Sequence, residues 1–431
     1  MKNRLMAIAG GRIMGEVRYG SGRLDFHYDP SWSDDASAFP MSLSMPLVVQ
    51  EHGHSKVEAF LWGLLPDNEV VLQRWGQKFR VSPRNPFRLI ENVGEDCAGA
   101  IQFARPDRAE HLLGPSQKPT VHWISNRELD ERIALLVADA AATRLGGDKG
   151  QFSLAGAQPK LALYRDIDSG RWGVPEGRTP TTHILKPSTG AFDGQTENEH
   201  FCLHLAAELG FVAAHSSVCL CGGLPVIVVE RYDRLAKGSS IQRIHQEDMC
   251  QALSVRPQKK YQNQGGPSPK AIAELIRSHS VSPDEDVLRF ADSLILNWLM
   301  GGTDGHAKNY SFLLGAGGQV RLAPLYDLAS SLPYPRQIQP RTATLAMKIG
   351  SEYRLWRIGK REWESCAREL RVSTKELLDR IALMAASLPE AAERAAHRLA
   401  NDGINHPVIA NLVECLLAHS RKCSELVSKP S

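Results

Sequence analysis

A chain of 431 residues with 42% apolar and 23% charged residues can bury a large core, and its length suggests two or three lobes. That composition excludes a disordered chain, and a formal charge of only +3 removes any global electrostatic demand for nucleic acid. No run approaches the roughly 18 apolar residues of a membrane span, and the Met1-Lys-Asn-Arg start leads into a broken apolar stretch, so the expected location is the cytoplasm with no membrane partner.

Taken in chain order, residues 1–107 read as a small mixed α/β subdomain. Leu24, Phe26 and Tyr28 alternate with polar residues, as do Phe39, Met41, Leu43 and Met45, which predicts short half-buried strands on either side of a loop at Ser31-Trp32-Ser33-Asp34-Asp35. Residues 57–65 are apolar, and Pro66-Asp67-Asn68 breaks them from a second helical piece. No acid, base and nucleophile converge in this subdomain, whose expected role is structural or docking. A connector follows over 108–128, marked by Gly114-Pro115 and Lys118-Pro119. The next segment, 129–235, opens on a helix with Leu129, Ile133, Leu136 and Val137 along one face.

In Phe152-Ser153-Leu154-Ala155-Gly156-Ala157-Gln158-Pro159-Lys160 the small residues let backbone N–H groups approach an anion, and Lys160 can add charge. A phosphate-cradling turn and a plain hairpin turn both fit. Thr182-His183-Ile184-Leu185-Lys186 is a short strand ending in a lysine, followed by a helix that starts near Thr196 and ends at Gly210. Glu199 on that helix either holds Lys186 or closes a capping box with Thr196. Pro225-Val-Ile-Val-Val-Glu230 is a buried central strand whose exit is where a kinase-like lobe holds adenine. The cysteines show no C-x-x-C or paired zinc spacing, and Cys219 and Cys221 fall in a strand-like run, so buried reduced thiols are expected.

Residues 236–431 form the expected helical lobe. Residues 254–268 are a basic, glycine-containing loop. Ser282-Pro283-Asp284-Glu285 supplies N-cap, N1 proline and N3 glutamate to a helix with Val287, Phe290, Leu294, Ile295, Trp298 and Leu299 at helical spacing, stopped by Gly301-Gly302. Thr303-Asp304-Gly305-His306-Ala307-Lys308-Asn309 follows at once, and a hairpin around Gly315-Ala316-Gly317-Gly318 returns the chain to Tyr326-Asp327. Asp304 can orient an attacking hydroxyl while Asn309 and Asp327 offer hard oxygen ligands to magnesium, and the Asp-x4-Asn spacing is that of a kinase catalytic loop without its His-Arg. From residue 356 on the chain reads as helical.

In sequence order, Ser153-Leu-Ala-Gly-Ala-Gln-x-Lys160, His-Ile-Leu-Lys186, Glu-Asn-Glu199, Val-Glu230-Arg-Tyr-Asp-Arg, His245-Gln-Glu-Asp248, Lys260-Tyr, Gly-Gly-Pro267, the 303–309 motif and Pro324-Leu-Tyr-Asp327 resemble the HipA family of serine/threonine kinase toxins, as does Phe60-Leu-Trp-Gly-Leu-Leu-Pro66 for its N-terminal subdomain. The resemblance implies an α+β, bilobal protein-kinase-like fold with a small mixed N-terminal subdomain and a helical C-terminal lobe. It implies ATP and Mg²⁺ as cofactors, Asp304 as catalytic base, Asn309 and Asp327 as metal ligands, and Lys186 on the α/β-phosphates. Residues Ala155, Gly156, Ala157, Gln158 and Lys160 would cover the phosphates, Glu230 and Tyr232 border adenine, His306 and Tyr326 complete the nucleotide set, and Ser153 take the autophosphorylation. The implied partners are a small DNA-binding antitoxin, operator DNA reached mainly through it, and a tRNA-charging enzyme as protein substrate. Gly302 stands where many relatives carry Asn. Two other classes share parts of this pattern: a small-molecule phosphotransferase, and a catalytically silent co-repressor bound to antitoxin and DNA.

Overall fold

The computed structural model describes residues 3–114, 118–143, 153, 155–238 and 240–428. Phe152 and Leu154 of the small-residue stretch, and Pro115 of the connector, lie outside them. The fold is α+β, as expected, and its contacts divide into two compact units. The first holds Met1–Pro187, Cys219–Gln258 and Ser311–Val320; the second holds Ser188–Val218, Lys259–Tyr310 and Arg321–Ser431.

In the first unit an antiparallel sheet runs in the spatial order Glu51–His52, Arg23–Tyr28, Arg12–Gly20, Arg4–Ala9, Gln102–Ala104. Its buried face carries Leu5, Ala7, Met14, Val17 and Phe26 against Val57, Phe60 and Leu61 of the helix His54–Gly63. The alternation over 39–45 does not make a strand. The Tyr28 hydroxyl donates to the Met45 carbonyl at 2.6 Å and accepts from the Met41 amide at 2.8 Å, so the segment is held as a turn with Met41 and Met45 in the core. The expected loop at 31–35 starts as a short helix, Pro30–Ser33, capped by Asp29, with Trp32 buried.

A second sheet of this unit places Leu224–Glu230, His183–Pro187, Leu161–Arg165, Trp172–Pro175 and Val121–Trp123 side by side, each antiparallel to the next. The helix Asn126–Ala138 buries Leu129, Ile133 and Leu136 in its core, while Val137 points outward. The strand His245–Asp248 pairs with Ser311–Leu314 and carries Glu247 inward. Glu247 is 1% exposed and accepts from the Ser42 hydroxyl at 2.6 Å and the Leu43 amide at 2.7 Å. Burial nevertheless dominates and raises its carboxyl from 4.5 to about 8. A raised carboxyl favours the protonated native state, so its stability contribution is full below about 4.5 and is lost as pH rises through about 8. Glu247→Gln should therefore flatten the fall in urea midpoint between acid and alkaline pH; parallel midpoint curves for the two proteins would rule this out.

The second unit is mostly helical. Pro283–Met300, Lys360–Leu370, Thr374–Asn401 and Pro407–Ser428 pack around a core in which the Trp298 and Trp363 rings meet at 5.4 Å and 63°, and the Trp298 indole donates to the Leu355 carbonyl. A hairpin, Thr344–Ile349 with Glu352–Arg354, precedes the last helices and had no counterpart in the sequence reading. Among the described residues no helix is long and apolar enough to cross a membrane.

Candidate active site

The helix Pro283–Met300 ends on Gly301 in the left-handed region, as its sequence requires. Its start differs from expectation: Ser282 makes no side-chain cap bond. Instead Asp286, fully buried, accepts from the Ser280 hydroxyl at 2.6 Å, the Leu322 amide at 3.1 Å and the Arg321 guanidinium at 3.0 Å. At the other end the terminal carbonyls of Met300 and Gly301 accept from the hydroxyls of Ser330 and Ser331 at 2.6 and 2.8 Å. These bonds satisfy carbonyls that a helix leaves open and fasten the segment after Asp327 to the root of the 303–309 loop.

Within that loop the Asn309 side-chain amide donates to the Asp304 carbonyl at 3.0 Å, and the His306 amide donates to the same carbonyl at 2.7 Å. The Asp304 side chain is 65% exposed, although His306, 5% exposed, lies beside it with Nε2 at 4.0 Å. Tyr261, from the basic loop, donates its hydroxyl to Asp304 Oδ1 at 2.5 Å and meets the His306 ring edge to face at 5.0 Å. In the sequence Tyr261 stands out only as the aromatic residue after Lys260. Tyr326 bonds the Lys308 carbonyl at 2.7 Å, and Asp327 adopts φ +57°, a left-handed conformation uncommon outside glycine. Gly302 donates its amide to the Asn297 carbonyl at 2.7 Å, and a Cβ there would sit 2.3 Å from Asn297 Oδ1. Glycine is thus required by a close approach, and the loop is held at this point.

The donor set fits a hard divalent cation. Asn309 uses its NH₂ on Asp304, which leaves Oδ1 as its acceptor, and Asp327 supplies a carboxylate. Among the described residues no three His, Cys, Asp or Glu side chains cluster as a self-sufficient metal cage. Two protein oxygens with the rest of the shell from phosphates and water is the usual magnesium arrangement in phosphoryl-transfer sites.

On the helix Gln195–Glu208 the capping-box alternative fails. Gly194 is the N-cap, so Thr196 is already inside the helix, and its buried hydroxyl has no hydrogen-bond partner. Asn198 bonds Ser330 in both directions, at 2.8 and 3.0 Å, tying this helix to the segment after Asp327.

In the first unit, Ser153, Gly156 and Ala157 are anchored by the N-terminal subdomain. Ser153 is fully buried; its hydroxyl donates to the Leu64 carbonyl at 2.7 Å and its amide to the Asp96 carbonyl at 3.0 Å. Pro66 and Gly156 form a parallel bridge, the Asp67 amide donates to the Gly156 carbonyl at 3.1 Å, and Asn68 reaches the Ala157 carbonyl. Gly156 has φ +106°, and Lys160 donates its ammonium to the Ala155 carbonyl at 2.7 Å. Gln158 bonds the Pro187 carbonyl, next to the buried Lys186, which lies opposite Ile227 in the sheet.

Glu230 ends its strand exposed, opposite His183, and the Tyr232 hydroxyl bonds Gln246. The residues between and after them do something the sequence did not reveal. Arg231, Asp233 and Arg234 are buried and form a charge network with Asp96 and Arg243. Burial alone would push the Asp96 carboxyl up, but the guanidiniums of Arg243, Arg234 and Arg231 and the Thr181 hydroxyl hold it well below the usual carboxylate range.

Comparison with known proteins gives the family. Residues 5–104 match the HipA N-terminal domain and residues 152–392 the HipA-like C-terminal domain. A protein of Sinorhizobium fredii that carries a kinase name, Y4mE, is 38% identical over 391 residues, covering 89% of this chain and 90% of its own. The serine/threonine-protein kinase toxin HipA of Shewanella oneidensis is 30% identical over 373 residues, covering 80% of this chain and 78% of its own. The solved structure of Shewanella oneidensis MR-1 HipA, in a complex with HipB and its operator DNA, superposes with a TM-score of 0.81 at 25% identity, covering 99% of this chain and 100% of that one. With both halves of the family pattern matched in order, the chain belongs to the HipA family.

Proposed function

We propose that this chain is a toxin-type protein kinase that transfers the γ-phosphoryl group of ATP to a serine or threonine hydroxyl of a protein. The observation that carries the reading is Asp304, exposed at the end of a buried helix fastened at both ends, with Asn309 tied to its backbone. Asp304 Oδ2 accepts the proton of the attacking hydroxyl while Tyr261 holds Oδ1; the oxygen bonds to the γ-phosphorus as the bridge to the β-phosphate breaks and ADP leaves. Asn309 and Asp327 would hold Mg²⁺, which would neutralise charge on the phosphate oxygens. Lys186 serves the α/β-phosphates, residues 155–158 and Lys160 cover them, Glu230 and Tyr232 border the adenine, and His306 and Tyr326 shape the nucleotide side of the loop.

Ser153 acts as the off switch. Its hydroxyl faces the carbonyl of Leu64 and its amide that of Asp96, acceptors only, so a phosphate of roughly −1.5 to −2 charge has no place there and the phosphorylated loop stays out. Family membership supports a tRNA-charging enzyme as target, a small DNA-binding antitoxin as partner, and operator contact mainly through that antitoxin, in keeping with a net charge of +3.

Incubation with labelled ATP followed by intact-mass and peptide mapping tests the proposal. One phosphate on Ser153 and label on a protein acceptor are expected; label confined to a choline- or antibiotic-like molecule would replace it with small-molecule phosphotransfer. Tyr261→Phe removes a hydrogen bond to a largely exposed carboxylate, and should lower kcat about 3- to 10-fold with an unchanged melting temperature. An unaltered kcat would mean that Tyr261 does not orient the base.

A further inference from the structure

The strand Ser216–Cys221 lies at the edge of its sheet beside Leu224–Glu230, which it enters through Gly222 and Gly223, both left-handed at φ +57° and +83°. Cys219 and Cys221 share one face of this strand, and Leu220, 72% exposed, points from the other. Neighbours on one face of a strand stand roughly 6.6 Å apart at Cα, two rises of about 3.3 Å. The two sulfurs are nevertheless only 3.9 Å apart, so both side chains lean toward each other. Cys221 is buried with Leu129, Ile133 and Val226, while Cys219 packs half-buried at the margin of the same core. The pair therefore has an apolar floor and one accessible sulfur. A Cα separation of roughly 6.6 Å sits at the far end of what a disulfide spans, so joining the sulfurs directly would draw the strand together. Two metal–thiolate bonds of about 2.3 Å reach across up to about 4.6 Å, which an ion between these sulfurs requires with only a slight opening. Ligand count then selects the ion. Zinc asks for three or four protein ligands, and among the described residues no third His, Cys, Asp or Glu joins this pair. Two soft thiolates and nothing else suit a monovalent d¹⁰ ion, Cu(I). The thiols are also prepared for it: a hydrogen bond from Cys221 draws the Cys219 thiol below its ordinary value, and the Arg165 charge adds to this against burial and Asp130.

We propose that Cys219 and Cys221 bind one Cu(I) ion between their sulfurs as a two-coordinate bis-thiolate at the sheet edge, the ion entering past Cys219. Each sulfur gives its proton to solvent as it bonds to the ion, the copper keeps its oxidation state, and the product carries a net charge of −1 made of one Cu⁺ and two thiolates.

The test uses the full chain, reduced with a phosphine, free of oxygen and saturated with Mg²⁺, and titrates Cu(I) against the competing chelator bicinchoninate. Expected are one ion retained per chain, release of about two protons as it binds, and an X-ray absorption spectrum with two sulfur neighbours. Cys219→Ser and Cys221→Ser should each weaken retention at least a hundredfold, whereas Cys415→Ser, which alters a thiol on the last helix, should keep it. Cys219 is only half-buried, so Cys219→Ser keeps the test decisive if Cys221→Ser does not fold. No retained ion, retention unchanged in Cys219→Ser, nitrogen or oxygen neighbours in place of the two sulfurs, or Zn²⁺ held by the pair as tightly as Cu(I) would each overturn the proposal. None of these readouts passes through phosphoryl transfer, so failure here leaves the kinase reading untouched.

Discussion

Asp304→Ala should lower phosphoryl transfer to Ser153 and to any protein acceptor by about 10²- to 10⁴-fold, the usual contribution of a positioned general base. The same change should alter unfolding stability by no more than about 0.5 kcal/mol, as for most exposed positions. The separation follows from geometry. The Asp304 side chain is 65% exposed and its carboxylate bonds the Tyr261 hydroxyl, whereas its backbone carbonyl, which anchors Asn309 and His306, survives the substitution. Labelled-ATP assays beside urea denaturation check both halves. Undiminished transfer would remove Asp304 from the chemistry, whereas no transfer by either protein together with unchanged growth inhibition would favour a silent co-repressor.

The largest stability effect is expected at Asp96. Its carboxylate accepts from Arg234 at 3.0 Å, Arg243 at 2.9 Å, and the Thr181 hydroxyl and amide at 2.7 and 2.9 Å. Asp96→Ala leaves buried guanidiniums with Asp233 as their remaining carboxylate, and breaking a buried ion pair from one side costs about 3–5 kcal/mol. Asp96→Asn keeps shape and some hydrogen bonding and should fall in between. Because the carboxyl is held below its unfolded value, its contribution is present above the ordinary carboxylate range and is lost as pH falls. The variants should therefore lose less stability than the parent on acidification. Urea midpoints at neutral and acid pH measure this, and a loss under 1 kcal/mol in Asp96→Ala would show that the network is not cooperative.

These two sites mark what a reading along the chain can reach. Asp304 was legible because its helix advertises itself through apolar spacing, Pro283 at N1 and Gly301 at the end, and because Asn309 follows at short range. The cap was not: Asp286, not Ser282, fastens the helix, and its partners Arg321 and Leu322 are distant in sequence. At the exit of the buried strand the sequence assigns a role, the adenine border, to Glu230 and Tyr232 alone, and none to Arg231, Asp233 and Arg234. Their counter-charge, Asp96, lies 138 positions from Arg234, and no local pattern announces such a pairing. Residues 39–45 show the opposite error, a genuine alternation without a strand, since the Tyr28 hydroxyl and not a ladder satisfies their backbone. The docking of Ser153 on Leu64 and Asp96 was likewise invisible, although it gives the N-terminal subdomain a direct hold on the serine proposed as the off switch.

The close approach at Gly302 has a consequence for how the catalytic loop can vary. Asn297 bonds the Ser293 carbonyl at 3.0 Å and the Tyr310 hydroxyl at 3.1 Å, so its amide cannot swing aside to admit a larger residue at 302. Positions 297 and 302 therefore form a compensating pair: a side chain at 302 is compatible with this loop only where residue 297 gives up volume. Gly302→Asn alone displaces the loop, and a paired reduction at 297 is what lets the exchange pass without moving Asp304.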